Sequence, residues 1–470
     1  MSPTAPDAEA VDLSAPRRVH VVGVGGAGMS AIASVLAAMG HWVTGSDLKA
    51  SPATDRLEAT PVASRRSVAV SIGHRAESVD GAEVVTRSAA VPDDNPEVRE
   101  ARRRGIPVLR RASVLRAIAA CRRCVAVAGT HGKTTTTSML SLVLIEAGLR
   151  PSFLVGSDVN EIGTNAVWDD GEWLVVEADE SDGTFLALEP EVAVVTNIEA
   201  DHLDHYGDLA ALESAFDTFA AGRPGGLVAG ADDARATALG LRHHGVLVGT
   251  SPQAAYRMTN LTGGRDGVGF DLEHAGAALG HVSMPVPGAH NARNAALAVV
   301  AAMRAGASFD DGVRAMARFA GVSRRFESRG EANGVHFVDD YAHLPTEVAA
   351  ALDAARAGGW GRIVAVFQPH RYSRTAALGP AFADAFVGAD VTVVTDVYAA
   401  GERPVPGVSG LLVADAVVAA HPEADVRYVP GRPELRAELA ALLRPGDLCL
   451  TLGAGDITAL ADELTTPEAS

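Results

Sequence analysis

Cys124-Val-Ala-Val-Ala128-Gly129-Thr130-His131-Gly132-Lys133-Thr134-Thr135 is the stretch on which the fold turns. Five apolar residues precede a glycine loop closed by Lys-Thr-Thr, and a helical run follows to about Ala147, stopped at Gly148. Strand, glycine loop, Lys-Thr and helix together make the layout of a phosphate cradle: backbone N–H groups and the helix dipole face the phosphates, Lys133 brings a point charge, and Thr134 can reach a magnesium ion. Two residues separate the glycines, against four in the general nucleotide-binding pattern.

The same rhythm of short apolar strand, polar or Gly-rich turn and Ala-rich helix recurs along the chain. Strands are expected at 19–22, 42–44, 125–128, 173–176, 192–196, 335–338, 363–367, 391–395 and 448–452. Most are apolar on consecutive residues, as in strands covered on both faces, which predicts an α/β fold built on parallel sheets. The stretch 256–287 is Gly-rich and weakly alternating and is expected to add small antiparallel strands. Composition breaks near 119–123 and 321–325 divide the chain into 17–120, 121–322 and 323–470, after a leader, 1–16, expected to be disordered.

At 470 residues the chain is too long for one core. Its 47% hydrophobic and 21% charged residues are those of a globular protein, and no apolar run approaches the roughly 20 residues of a membrane helix. The formal net charge of −18 excludes the basic footprint that nucleic-acid binding needs. Three cysteines make no disulfide framework and fit a reducing cytoplasm, and the Cys121–Cys124 spacing has no second pair for zinc.

Two acidic strand ends flank the cradle. Glu177-Ala-Asp179-Glu180-Ser181-Asp182 closes one strand, and Asn197-Ile-Glu199-Ala-Asp201-His202-Leu-Asp204 follows the next. Oxygen ligands at such strand ends suit magnesium, with Glu177 nearest the strand and Thr134 and His202 as partners. Further on, Gly288-Ala-His290-Asn291-Ala-Arg293-Asn294 opens a helix, and Ser323-Arg324-Arg325-Phe326 sits at the second break. Asp339-Asp340-Tyr341-Ala-His343 and Gln368-Pro-His370-Arg371-Tyr372-Ser-Arg374 follow apolar strands, where ligands collect in open sheets. Near the start, Gly23-Val-Gly25-Gly26-Ala27-Gly28 follows the first strand and Asp47 ends the second. By pattern alone this is a dinucleotide fingerprint, and it supports a rival reading as a nicotinamide-dependent oxidoreductase.

Taken together, and in this order, these motifs resemble those of the Mur ligases over nearly the whole chain. The resemblance implies three domains: a Rossmann-like N-terminal domain, a central P-loop ATPase-type parallel-sheet domain and a C-terminal Rossmann-like domain. It implies a cytoplasmic ATP- and magnesium-dependent ligase, with the EADESD and NIEADH segments pointing to the branch that joins L-alanine to the lactyl carboxylate of UDP-N-acetylmuramic acid. It reassigns the glycine fingerprint to a uridine diphosphate, at Gly23, Gly25, Gly26, Ala27, Gly28, Asp47, His74 and Ser88. ATP falls to Gly129, Thr130, His131, Gly132, Lys133, Thr134, Thr135, His290, Asn291, Asn294, Arg325 and Asp340. The metal falls to Thr134, Glu177 and His202, and the amino acid to Tyr341, His343, His370, Arg371 and Arg374. The implied catalytic set is Lys133, His202, His343 and Arg371, in a monomer or weak homodimer. One departure stands out. The family usually carries two histidines after Asp-Asp-Tyr-Gly/Ala, and here the second is Leu344, which motivates a further reading as an idle nucleotide-binding relative.

Overall fold

The computed structural model describes residues 11–59 and 68–465. They form three sheets. The first has five strands, all parallel, in the order Ala69–Ile72, Trp42–Asp47, Arg18–Val22, Val84–Arg87 and Val108–Arg110. Val19, Val21, Val22, Val84 and Val85 are all buried, so the strand runs are apolar on both faces because both faces are covered. The leader expected at 1–16 needs correction at its end. Leu13 is buried in the first core and Val11 packs against it, so 11–16 belong to the folded domain; residues 1–10 lie outside the described residues.

The second sheet has ten strands. Its central order runs Val246–Gly249, Gly226–Gly230, Val192–Val195, Arg123–Ala128, Trp173–Glu177 and Ser152–Val159, all parallel neighbours, with Thr164–Val167 antiparallel at one edge. The Gly-rich stretch does add strands, Tyr256–Gly264, Gly267–His274 and Ala277–Met284, at the other edge. The third sheet runs Glu327–Ala332, Val335–Asp340, Asp447–Leu452, Arg362–Phe367, Val391–Val394 and Val426–Tyr428, parallel except for its first strand.

By compactness the described chain falls into two units, 11–259 with 272–280 and 293–316, and 260–271 with 281–292 and 317–465. The first unit holds the five-stranded sheet and the parallel part of the ten-stranded one; the second holds the six-stranded sheet. All nine strands expected from the sequence are present, each within two residues at either end except 42–44, which runs on to Asp47. No helix among the described residues is long and apolar enough to cross a membrane. The cysteines are free.

Candidate functional site

The cradle is built as its residue types require. Strand Arg123–Ala128 delivers Gly129, and helix Lys133–Glu146 starts from Gly132. Both glycines have left-handed φ, +131° and +78°. A Cβ on Gly129 would lie 2.1 Å from Thr196 Oγ1, and one on Gly132 would lie 2.4 Å from Asn294 Oδ1. Only glycine fits either place, and the second contact puts Asn294 beside the loop. The neighbouring strand end then staples the loop. Asn197 Oδ1 accepts from the His131 N–H at 2.8 Å, the Thr196 hydroxyl donates to the His131 carbonyl at 2.6 Å, and Thr130 Oγ1 accepts from the Glu199 N–H at 2.8 Å. His131 and Glu199 meet at 3.0 Å.

Lys133 is enclosed. Its Nζ donates to the Gly129 carbonyl at 2.7 Å and to Glu180 Oε1 at 2.7 Å. Burial works against its charge, but Glu180 and Asp179 more than compensate, so it is held protonated above its ordinary range. Glu180 is itself buried, and burial pushes its carboxyl up while Lys133 pulls the other way. The Thr134 hydroxyl donates to Glu177 Oε1 at 2.9 Å, and Glu177 Oε2 accepts from the Gly156 N–H at 2.6 Å. Thr134 and Glu177 are therefore two hard oxygen donors in contact at a helix N-terminus, a set that suits magnesium. His202 starts helix Leu203–Tyr206 from a left-handed backbone, φ +55°, with its ring 3.1 Å from Asp201. Among the described residues no group of three or more His, Cys, Asp or Glu is arranged to hold a metal.

The first-domain loop uses backbone rather than charge. Gly23 turns with φ +77°, packs against Ser88 and donates to the Ser46 carbonyl, while Asp47 Oδ2 accepts from the Gly25 N–H at 2.8 Å. Helix Ala27–Ala38 begins at Gly26 with no side-chain cap and no acid in its first turn, which leaves its N–H groups for an anion. Gly23, Gly25, Asp47 and Ser88 are thus brought together. His74 stands beside them through a buried network that the sequence reading missed. Glu97, fully buried, accepts from the Ser46 hydroxyl at 2.5 Å and from the Arg75 N–H at 3.1 Å, and lies 3.1 Å from His74 Nδ1 and 3.5 Å from His20 Nε2. Burial alone would raise its carboxyl. The contacts to His20 and Ser46 outweigh that and hold it at about 2. Asn95-Pro96-Glu97 reads as a helix cap in sequence, and Asn95 does cap helix Pro96–Arg103. Nothing in that pattern announces a buried charge.

In the second unit, Asp340 is gripped by backbone: Oδ2 accepts from the Phe326 N–H and Oδ1 from the Ala342 N–H, each at 2.7 Å. Burial raises it to about 6 against the pull of Arg325. Arg325 and Arg324 lie over the Tyr341 ring at 5.1 and 4.9 Å. Arg324 also donates to the Gly453 and Gly455 carbonyls, which ties it to the loop after strand Asp447–Leu452. The rings of His343 and His370 are 5.9 Å apart, and His370 stacks on Tyr398. Arg374 Nη1 lies 3.1 Å from His370 Nδ1. Burial, then His343, Arg374 and Arg371, hold His370 down at about 4, so it is neutral at pH 7. Arg371 stands at the N-cap position of helix Tyr372–Leu378 with φ +68° and no side-chain cap. His290 and Asn291 open helix Ala289–Arg304, and Asn291 Nδ2 donates to the Pro287 carbonyl at 2.7 Å, so its side chain secures the turn. Leu344 is buried while His343 is partly open.

A lysine-bearing phosphate loop beside paired oxygen ligands, on an α/β chain of three sheets, defines a nucleotide-dependent phosphoryl-transfer site. Comparison with known families is consistent with that class. The Mur ligase family catalytic domain matches residues 18–123, the Mur ligase middle domain 127–302, and the Mur ligase glutamate ligase domain 324–455. The chain belongs to the Mur ligase family. It is 48% identical over 457 residues to the UDP-N-acetylmuramate–L-alanine ligase of Rubrobacter xylanophilus, covering 95% of this chain and 99% of that one. It is 44% identical over 453 residues to the enzyme of the same name from Pelotomaculum thermopropionicum, covering 95% and 97%. The crystal structure of UDP-N-acetylmuramate–alanine ligase from Thermotoga maritima superposes with a TM-score of 0.80 at 28% identity, covering 95% of this chain and 98% of that one. The nicotinamide reading of the first glycine loop is set aside with these findings.

Proposed function

We infer that this protein is an ATP-dependent ligase that joins L-alanine to the lactyl carboxylate of UDP-N-acetylmuramic acid, a cytoplasmic step of peptidoglycan synthesis. The observation that carries the reading is the enclosed Lys133 beside the Thr134–Glu177 contact, in a chain whose near-full-length relatives bear that enzyme's name. A carboxylate does not condense with an amine at neutral pH, because its negative charge repels the nucleophile and its oxygen is a poor leaving group. The lactyl carboxylate instead attacks the γ-phosphorus of ATP, ADP leaves, and an acyl phosphate forms. The alanine amine then attacks the acyl carbon and phosphate departs.

Each part of the chain has a task in that sequence. The loop 129–135 and Asn294 hold the ATP phosphates, with His290, Asn291, Arg325 and Asp340 serving the rest of the nucleotide. Lys133 spreads the charge that develops on the transferring phosphoryl group. Thr134 and Glu177, together with His202, would hold magnesium, which would supply further charge neutralisation at the phosphate oxygens. Gly23, Gly25, Gly26, Ala27, Gly28, Asp47, His74 and Ser88 hold the uridine diphosphate. Tyr341, His343, His370, Arg371 and Arg374 receive the amino acid. Neutral His370, its Nδ1 facing Arg374, keeps Nε2–H to donate to the alanine carboxylate.

The test is phosphate release with ATP, UDP-N-acetylmuramic acid and each of the twenty amino acids in turn. Release with L-alanine at the highest kcat/KM is expected. No release with any amino acid would favour an idle nucleotide-binding relative, the reading that Leu344 motivates.

A further inference from the structure

A cavity of 190 Å³ in the first unit is walled by Gly28, Ile32 and Arg111 of the five-stranded domain and by Gly156, Glu177 and Asp179 of the ten-stranded sheet. Arg111 opens helix Arg111–Ala119 at the carboxyl end of strand Val108–Arg110. Its guanidinium lies against the glycine loop: a Cβ on Gly28 would come within 3.2 Å of Cζ and 3.3 Å of Nε and Nη2. Arg111 Nε is buried and makes no hydrogen bond, and Nη1 is 3.7 Å from Asp179 Oδ2, an ion pair too long for a direct hydrogen bond. A buried guanidinium N–H without an acceptor costs stability unless a ligand completes it. Among the described residues lining the cavity, Arg111 carries the positive charge, and it borders the uncapped N-terminus of helix Ala27–Ala38.

We propose that Arg111 is a binding residue for the diphosphate of the UDP-sugar, closing the glycine loop from the side and directing the sugar along the cavity toward Glu177. This rests on the ligase reading above. The guanidinium fork matches two phosphate oxygens at once, which a backbone loop alone cannot neutralise. Asp179 acts as the positioning group. Its Oδ2, 3.7 Å from Arg111 Nη1, keeps the fork from swinging out to solvent.

The test is calorimetric titration, without ATP, of UDP and of UDP-N-acetylmuramic acid into the full-length protein, as wild type, R111A and R111K. Wild type binds both. R111A weakens both by tenfold or more, and R111K by less, since it keeps the charge and loses the fork; KM for ATP in the phosphate-release assay stays within twofold. R111K, whose melting temperature is expected to match wild type, carries the test if R111A fails to fold. An unchanged UDP affinity in the variants overturns the proposal. A loss confined to UDP-N-acetylmuramic acid places the cation at the lactyl carboxylate and overturns the diphosphate assignment. Wild type that binds neither ligand overturns the ligase reading and this inference together.

Discussion

The phosphate loop and the histidine cluster solve opposite electrostatic problems. Around Lys133 the protein keeps an ammonium charged against burial, with Glu180, Asp179 and loop carbonyls gathered around it. Around His370 it does the reverse: burial and nearby cations keep an imidazole neutral, stacked on Tyr398 and facing His343. Phosphoryl transfer needs charge already in place where charge develops, since reorganising water during the reaction is costly. Under the function proposed above, a neutral imidazole among the Arg371 and Arg374 guanidiniums offers the amino acid an oriented donor without adding a further charge.

If that contrast is right, the largest effect comes from the charged side. Lys133→Ala should cut turnover by about a thousandfold, about 4 kcal/mol of transition-state stabilisation, with UDP-sugar affinity nearly intact. A variant that lost UDP-sugar affinity as badly as turnover would mean the first glycine loop and the cradle are not separate sites. His343→Ala on the neutral side should cost one to a few powers of ten in kcat/KM for alanine, at about 1.4 kcal/mol each; an unchanged kcat/KM would remove His343 from the amino-acid site. Glu177→Gln should raise the magnesium concentration for half-maximal rate, and so should His202→Ala if it belongs to the metal site. Magnesium titrations that show only the first shift would confine the metal to Thr134 and Glu177.

The neutral side also makes a pH statement. His370 has its folded pKa depressed to about 4, below the ordinary 6.5, so the unfolded chain binds a proton that the folded one refuses between those values. Stability from this group is full above pH 6.5 and is lost as pH falls toward 4. Melting temperature should therefore drop less between pH 7 and 5 in His370→Gln than in wild type; parallel curves would show that His370 is protonated in the fold. The smallest effect is expected at Leu344. It is buried at the start of helix Pro345–Ala357, where the Glu347 carboxylate accepts the N–H groups of His343 and Leu344. Leu344→His should change the rate by less than about fivefold while losing some thermal stability, because a polar ring would be buried without a partner. A large gain in rate would mean that the second histidine does chemistry.

Much of this molecule was readable in one dimension, for local reasons. Strand, glycine loop, Lys133 and helix are contiguous, and the left-handed φ that this turn requires favours glycine at 129 and 132, so the cradle announces itself. The short apolar runs, bounded by polar or Gly-rich turns, likewise declare buried parallel strands, because a strand covered on both faces hides every residue of such a run. Residues 11–16 misled, since a Leu and a Val among polar residues carry no periodicity; burial of Leu13 depends on a surface made elsewhere.

What only the tertiary structure decided are the partners that meet across long loops. Glu180 grips Lys133 from 47 residues away, Asn294 fills the space over Gly132, Glu97 gathers His20, Ser46 and His74 around one buried charge, and Arg111 comes to rest against Gly28. The sequence by itself determined where the glycine turns between strand and helix would form, because those depend on neighbours along the chain. Which side chains stand around those turns, and which of them stay charged, is set by desolvation and by distances of a few ångströms that exist only once the sheets have assembled.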